Sequence, residues 1–187
     1  MPNHRIDQST LLRLAATLAN RARPVDLRSL GQLCSRAGVR AHVAVATSDY
    51  LVKIVSGLKT IESRFTNTRQ SPYGHVSAGD LVLFKAPTRG ITVAAQVRRT
   101  YYAGPLAPYC AQEIMRAYAK GLALESEFIE AKASARYATL LFLERPVLLP
   151  SIRITKRDRR PWVALTHEPE LPLSCARGRN RRTIGSR

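Results

Sequence analysis

The run Ser56-Gly57-Leu58-Lys59-Thr60-Ile61-Glu62-Ser63-Arg64-Phe65 switches hydrophobic period within a few residues, and that switch limits what can surround it. Before it, Asp49 to Val55 has the spacing of an amphipathic helix. Gly57 is a natural helix stop, because glycine accepts the left-handed C′ conformation without a Cβ clash. From Thr60 to Phe65, β-branched and aromatic residues alternate with polar ones, which is the period of a strand. Period two puts Thr60, Glu62 and Arg64 on one face and Ile61 and Phe65 on the other. The apolar pair suits a core. The other face carries Glu62 and Arg64 side by side, with Lys59 at the hinge.

The rest of the chain alternates helices and strands around this run. Leu11, Leu12, Leu14, Ala15 and Leu18 have helical spacing, with Ser9 as the expected N-cap. Asp26 caps a second helix that ends before Gly38. The pair reads either as a helical hairpin packed on the main domain or as half of a helix-turn-helix, with Arg21, Arg23, Arg28, Arg36 and Arg40 toward phosphate. Val43 to Thr47 reads as a strand, and Ser48 as the cap of the helix before Gly57. Thr66 to Ala78 is a loop. Asp80 to Ala86 and Ile91 to Tyr101 are strands joined by a Pro87-Thr88-Arg89-Gly90 turn, with Gln96, Arg98, Thr100 and Tyr102 expected on one face. Two helices are expected over Glu113 to Leu122 and Leu124 to Ser134. A strand from Arg136 to Leu149, bounded by Pro146 and Pro150, and a last one from Arg160 to Leu165 complete the pattern.

These elements divide the chain into a helical extension at 1–40, a main domain at 41–167 and an arginine-rich tail at 168–187. Cys34, Cys110 and Cys175 lie far apart with no metal-ligand spacing, so neither a metal, a cofactor nor a disulfide framework is expected; reduced thiols fit a cytoplasmic protein. No apolar run approaches the ~18 residues of a membrane span. Residues 1–40 contain Asp7 and Asp26 and no serine-rich stretch, which argues against an organelle presequence. The formal net charge of +17 favours a polyanionic partner, nucleic acid before anionic membrane.

Gly57, Lys59, Glu62 and Arg64 fit the G-x-K-x-x-E-x-R signature of ASCH domains. Gly79-Asp80 falls where that family has a Gly-Asp turn before a strand, and Arg160-Pro161-Trp162 fits its closing strand. On these residues the stretch from His42 to Thr166 resembles an ASCH domain. The resemblance implies an α+β fold: a PUA-like β-barrel of about five to six strands flanked by helices, here with an N-terminal helical hairpin. It also implies association with RNA, favoured over DNA, and a place in ribonucleoprotein assemblies.

Lys59, Glu62 and Arg64 are the first candidate site. Arginine offers a planar fork of donors, lysine a point charge and glutamate an acceptor for an exocyclic amine. The plainer alternative is a Glu62–Arg64 pair that only orients the strand. Some small ASCH members hydrolyse the amide of acetylated cytidine with a lysine, a threonine and a distant glutamate. Lys59 matches the lysine, whereas Glu62 occupies the threonine position; Thr60 and Glu113 are the remaining counterparts. Lys59 and Glu62 are therefore the catalytic candidates of a hydrolase reading. RNA cleavage would need a base, for which His75 is the candidate. A wider basic set, Arg69, Lys85, Arg98, Arg153, Lys156, Arg157, Arg159 and Arg160, suits phosphate contacts. Tyr73, Tyr101, Tyr102 and Trp162 are either base-stacking platforms or core, with core favoured for Trp162.

Overall fold

Two long strands with extra residues in their ladder set the shape of the molecule. In the computed structural model, which describes residues 7–156 and 159–165, β-strands Ile91–Ala103 and Tyr137–Ile152 pair antiparallel along nearly their whole length. Their register shifts three times, between Ile91 and Val93, Ala94 and Gln96, and Val97 and Arg99. Each extra residue bends the pair and increases its twist.

In chain order the described elements are α1 (Gln8–Ala19), β1 (Val25–Asp26), α2 (Leu27–Arg36), β2 (Ala41–Val45), α3 (Ser48–Val55), β3 (Ile61–Thr66), β4 (Leu81–Lys85), β5 (Ile91–Ala103), α4 (Cys110–Ala117), α5 (Ala119–Leu122), α6 (Ser126–Lys132), β6 (Tyr137–Ile152), β7 (Ile154–Thr155) and β8 (Trp162–Leu165). The main sheet has the order β3-β6-β5-β4-β2-β8, with β2 and β4 parallel and the other neighbours antiparallel. It curls into a half-barrel, the α+β arrangement implied by the ASCH/PUA-like resemblance. A separate two-stranded parallel ribbon joins β1 to β7.

Three apolar clusters follow from the curl. The concave face holds Ala44, Val82, Phe84, Val93, Val97, Leu141 and Trp162, closed at one end by Leu51 and Ile54 of α3. Leu11, Ala15, Leu18, Leu30 and Cys34 of α1 and α2 pack against Val43, Leu83, Ile91 and Val147, so the N-terminal helices share a core with the sheet. Ile61 and Phe65 of β3 pack with Met115, Leu122, Leu140 and Phe142 under the C-terminal helices. This is the division of β3 faces that its period predicts.

Several local expectations need correction. The N-cap of α1 is Asp7, whose carboxylate accepts from Thr10 N at 3.3 Å, so Ser9 is inside the helix. The N-cap of α3 is Thr47, not Ser48, and its hydroxyl accepts from Tyr50 N. Asp26 caps α2 as expected, and Gly38 and Gly57 adopt φ of +71° and +79° after their helices. The segment after Pro108 forms three short helices, with a break at Tyr118 as well as after Leu122. β6 runs straight through Pro146 and Pro150. Each proline falls where the ladder to β5 is irregular, so no paired N–H is lost. Gln96 does not share a face with Thr100 and Tyr102. Val93, Ala95 and Val97 face the concave core before the last register shift; after it, Thr100 pairs with Leu141 and Tyr102 with Thr139, so the parity has flipped.

A buried polar chain holds the strands at the far end of the half-barrel. Trp162 Nε1–H donates to His42 Nδ1 at 3.4 Å, and His42 Nε2 lies 2.9 Å from Asp80 Oδ2. Because Nδ1 accepts, the ring proton sits on Nε2 and is donated to the carboxylate. Asp80 also takes Arg40 Nε at 2.9 Å and Ser77 N at 2.9 Å. Burial pushes the Asp80 carboxyl up, but the hydrogen bonds from His42, Arg40 and Ser77 outweigh it and hold it below its ordinary 3.8. Its stabilising contribution is therefore full above that value and is lost as pH falls through the lower folded-state value. Denaturant unfolding followed from pH about 6 to about 2 will show a steeper loss below 3.8 in the wild type than in Asp80→Asn. At neutral pH that variant will be destabilised by on the order of 2–4 kcal/mol.

Candidate functional site

The two edges of the curled sheet, β3 and β8, do not pair with each other. The opening beside β3 is a cavity of about 300 Å³. β3 contributes Glu62, Ser63 and Arg64; the first turn of α3 contributes Thr47 and Tyr50; α6 contributes Phe128 and Lys132; Pro161 stands at the start of β8. Lys59 enters from the turn after Gly57.

Arg64 bridges the gap. Its Nη2 donates to Glu62 Oε1 at 2.9 Å and to Val45 O, at the end of β2, at 3.0 Å. Its guanidinium carbon lies 5.6 Å from the Trp162 ring, a cation–π contact that ties the site to the concave core. Its Nε is buried and finds no acceptor among the described residues. A donor in that state costs about 1–3 kcal/mol unless something accepts its proton.

Lys59 is nearly sealed, at 2% exposure, and Glu62 at 4%. The Lys59 ammonium donates to Leu122 O at 2.7 Å and lies 4.7 Å from the centre of the Tyr50 ring. Burial pulls its pKa below 10.5; Glu62 opposes that shift, and Arg64 and Lys53 add to it. Burial raises the Tyr50 hydroxyl. Lys53 reaches over the α5–α6 turn, donating to Ala123 O and pairing with Glu125. The helical roof of the cavity is thus attached to α3 and β3 through two lysines.

The period of β3 brings together Lys59, Glu62 and Arg64, as read from the sequence. Tyr50, Phe128 and Lys132 were not singled out. Tyr50 sits in the first turn of a helix that points at β3, which was a usable signal. Lys132 carries none, because only the docking of α6 brings it here.

The wider basic set divides. Arg69 is exposed near the cavity rim, with its guanidinium 6.0 Å and 5.7 Å from the Tyr73 and Tyr137 rings. Arg98 is exposed at the last register shift of β5. Lys85 does not belong to an exposed basic face: β4 is covered on both faces, and the buried ammonium donates to Ala86 O at 2.9 Å. Its pKa is lowered by burial and by nearby Lys156. Arg153 donates to Arg21 O and Ala22 O, and Lys156 to Arg160 O. Arg159 and Arg160 are exposed; Arg157 and the tail at 168–187 lie outside the described residues. His75 and Glu113 are exposed and do not line the cavity. Trp162 is core, at 1% exposure. Among the described residues no cluster of His, Cys, Asp and Glu could hold a metal ion, and no helix is long and apolar enough to cross a membrane.

Fold and site together define a curled α+β half-barrel with an ionic cavity at its open edge. No known protein-family model matches the chain, and neither does any curated protein. Among solved structures it is similar to the ASCH protein of Zymomonas mobilis, at 17% identity over 60% of this chain and 73% of that one, with a TM-score of 0.48. It is similar also to a mutant form of that protein, at 15% identity, 61% and 74% coverage and a TM-score of 0.49. A hypothetical protein, PH0355, is similar at 14% identity over 56% of this chain and 97% of that one, with a TM-score of 0.36. The first two are proteins of the family whose signature the β3 run resembles.

Because the folded-state pKa of Lys59 is lowered, its charged form weakens the fold, and that penalty is relieved as pH rises from the folded value toward 10.5. The stability difference between wild type and Lys59→Met, measured by denaturant unfolding at rising alkaline pH, will therefore shift in favour of the wild type. A pH-independent difference contradicts the lowered value.

Proposed function

We propose that this chain binds nucleic acid, RNA in preference to DNA, and that one nucleotide enters the cavity beside β3. The observation that carries this reading is the buried, unsatisfied Arg64 Nε in an opening that also contains Lys59 and Lys132. A ligand oxygen that accepts from Nε would relieve the desolvation of that group. Glu62 keeps acceptor capacity beyond its contact with Arg64, which suits an exocyclic amine. Tyr50 and Phe128 supply aromatic lining of the kind that stacks on an unpaired base. The net charge of +17 supplies long-range attraction for a polyanion, as in a ribonucleoprotein assembly of the cytoplasm.

A second reading, hydrolysis of an acylated nucleoside in the same cavity, is favoured by one observation. Burial leaves more of Lys59 in the neutral amine form than in a free lysine, so more of it is available as a base or nucleophile. Against it stands Glu62 at the position where the resemblance expects a threonine. RNA cleavage gains nothing from His75, which lies outside the cavity.

Arg64→Ala will weaken single-stranded RNA binding by about tenfold or more at low salt, the scale of a lost charge-assisted hydrogen bond. Anisotropy titration against labelled RNA and DNA measures it, and unchanged affinity would sink the binding role of the cavity. Turnover of acetylated cytidine by the wild type, abolished in Lys59→Met, would move the assignment to the hydrolase.

A further inference from the structure

The β1–β7 ribbon makes only two register pairs, Val25 with Ile154 and Asp26 with Thr155. It nevertheless joins distant parts of the chain, and beside it Arg153 reaches Arg21, 132 residues away. The loop after α1 brings Arg21 and Arg23, and the first turn of α2 brings Arg28. Arg153 precedes β7 and Arg159 follows it. All five are exposed.

Among the described residues, no carboxylate forms an ion pair with these five arginines. Arg153 pins the loop through backbone carbonyls, donating to Arg21 O at 2.9 Å and to Ala22 O at 3.1 Å, while Val25 N donates to Arg153 O at 2.9 Å. No carboxylate takes part in those contacts. The acid within the ribbon, Asp26, is committed to the α2 N-cap, accepting from Ser29 N at 2.9 Å and Ser29 Oγ at 2.7 Å. Arg28 sits in the first turn of α2, where a cation opposes the helix dipole. Among the described residues, neither helix stability nor an ion pair accounts for these arginines.

The covalent chain limits how far the ribbon can lie from the cavity. The chain leaves β7 at Thr155 and reaches the cavity rim at Pro161, a contour of at most about 20 Å. At the duplex rise of about 3.4 Å per phosphate on one strand, that is at most about six phosphates, and fewer on an extended single strand.

We propose that the β1–β7 ribbon is a backbone track for nucleic acid. Arg21, Arg23, Arg28 and Arg159, set on a loop that Arg153 pins, take phosphodiesters of the strand whose nucleotide enters the cavity. The proposal rests on the nucleic-acid reading above for its class of partner. It assigns the N-terminal helical hairpin a part in binding that the cavity alone does not need.

The test is anisotropy titration of the full chain with labelled single-stranded RNA and DNA of about 20 nucleotides, between about 50 and 200 mM salt. Arg21→Gln, Arg23→Gln and Arg28→Gln together will flatten the log–log salt slope by about two, at about 0.7 per single-strand phosphate. Arg159→Gln, outside the loop, will flatten it by about 0.7 alone. Replacing the same three arginines by lysine will keep the slope, since a point charge still meets a phosphate. Arg64→Ala reads the cavity separately, lowering affinity while leaving the ribbon's share of the slope in place. Wild-type slopes in both the triple glutamine variant and Arg159→Gln overturn the track and leave the cavity reading to Arg64→Ala. Equal losses in the lysine and glutamine triples overturn it too. Binding to phosphatidylserine vesicles that falls more than RNA binding in the glutamine triple overturns it in favour of a membrane surface.

Discussion

The curl of the main sheet depends on the irregular β5–β6 ladder. A regular pair of these lengths would stay an open twisted ribbon, with β3 far from the β2–β8 side of the sheet. The register shifts bend the ladder until the β3 edge faces the end of β2, close enough for Arg64 to donate to Val45 O. The concave core, the open edge and the cavity all follow from that closure. Prolines at 146 and 150, in the interrupted part of the same ladder, keep it from being repaired into a regular one.

Ionic groups beside the opening are held in different ways. Glu62 and Arg64 form a largely buried pair, for which desolvation offsets much of the attraction. Lys59 has no carboxylate hydrogen bond among the described residues and is held instead by a carbonyl and an aromatic face. Hydrophobic residues of similar size would hold the strands at less cost, so the polar set is poorly explained by stability. Asp80 is different: it gathers donors from β2, the preceding loop and, through His42, Trp162 of β8, which is a structural use of a buried charge. The Gly-Asp pair of the signature therefore serves the frame, and the Lys-Glu-Arg triad faces the opening.

Much of this was legible from local chemistry. The period of β3 separates Ile61 and Phe65 from Glu62 and Arg64, and the structure packs the first two under the C-terminal helices and sets the second two at the cavity. Gly38 and Gly57 mark helix ends by their need for positive φ, and Asp26 marks a helix start. The caps of α1 and α3 were misplaced by one or two residues because adjacent Asp, Ser and Thr compete for the same orphan N–H groups. The parity flip in β5 was illegible, because the extra residue is defined only by what lies opposite it on β6. Lys85 was misjudged for the same reason. Its exposure depends on β4 being an inner strand, a property of strand order and not of its own neighbours in sequence.

Local alternation, glycine stops and charge surplus, all short-range properties of the covalent chain, determined that there would be a strand with one ionic face, helices bracketing it and a cationic molecule around it. Tertiary structure alone decided that this face would meet an opening, that Arg64 would be left with an unsatisfied Nε, and that Arg21 and Arg153 would meet on one ribbon. Those outcomes depend on contacts between residues far apart in the chain. Only the strand pairing of the folded sheet sets such contacts, and no periodicity encodes them.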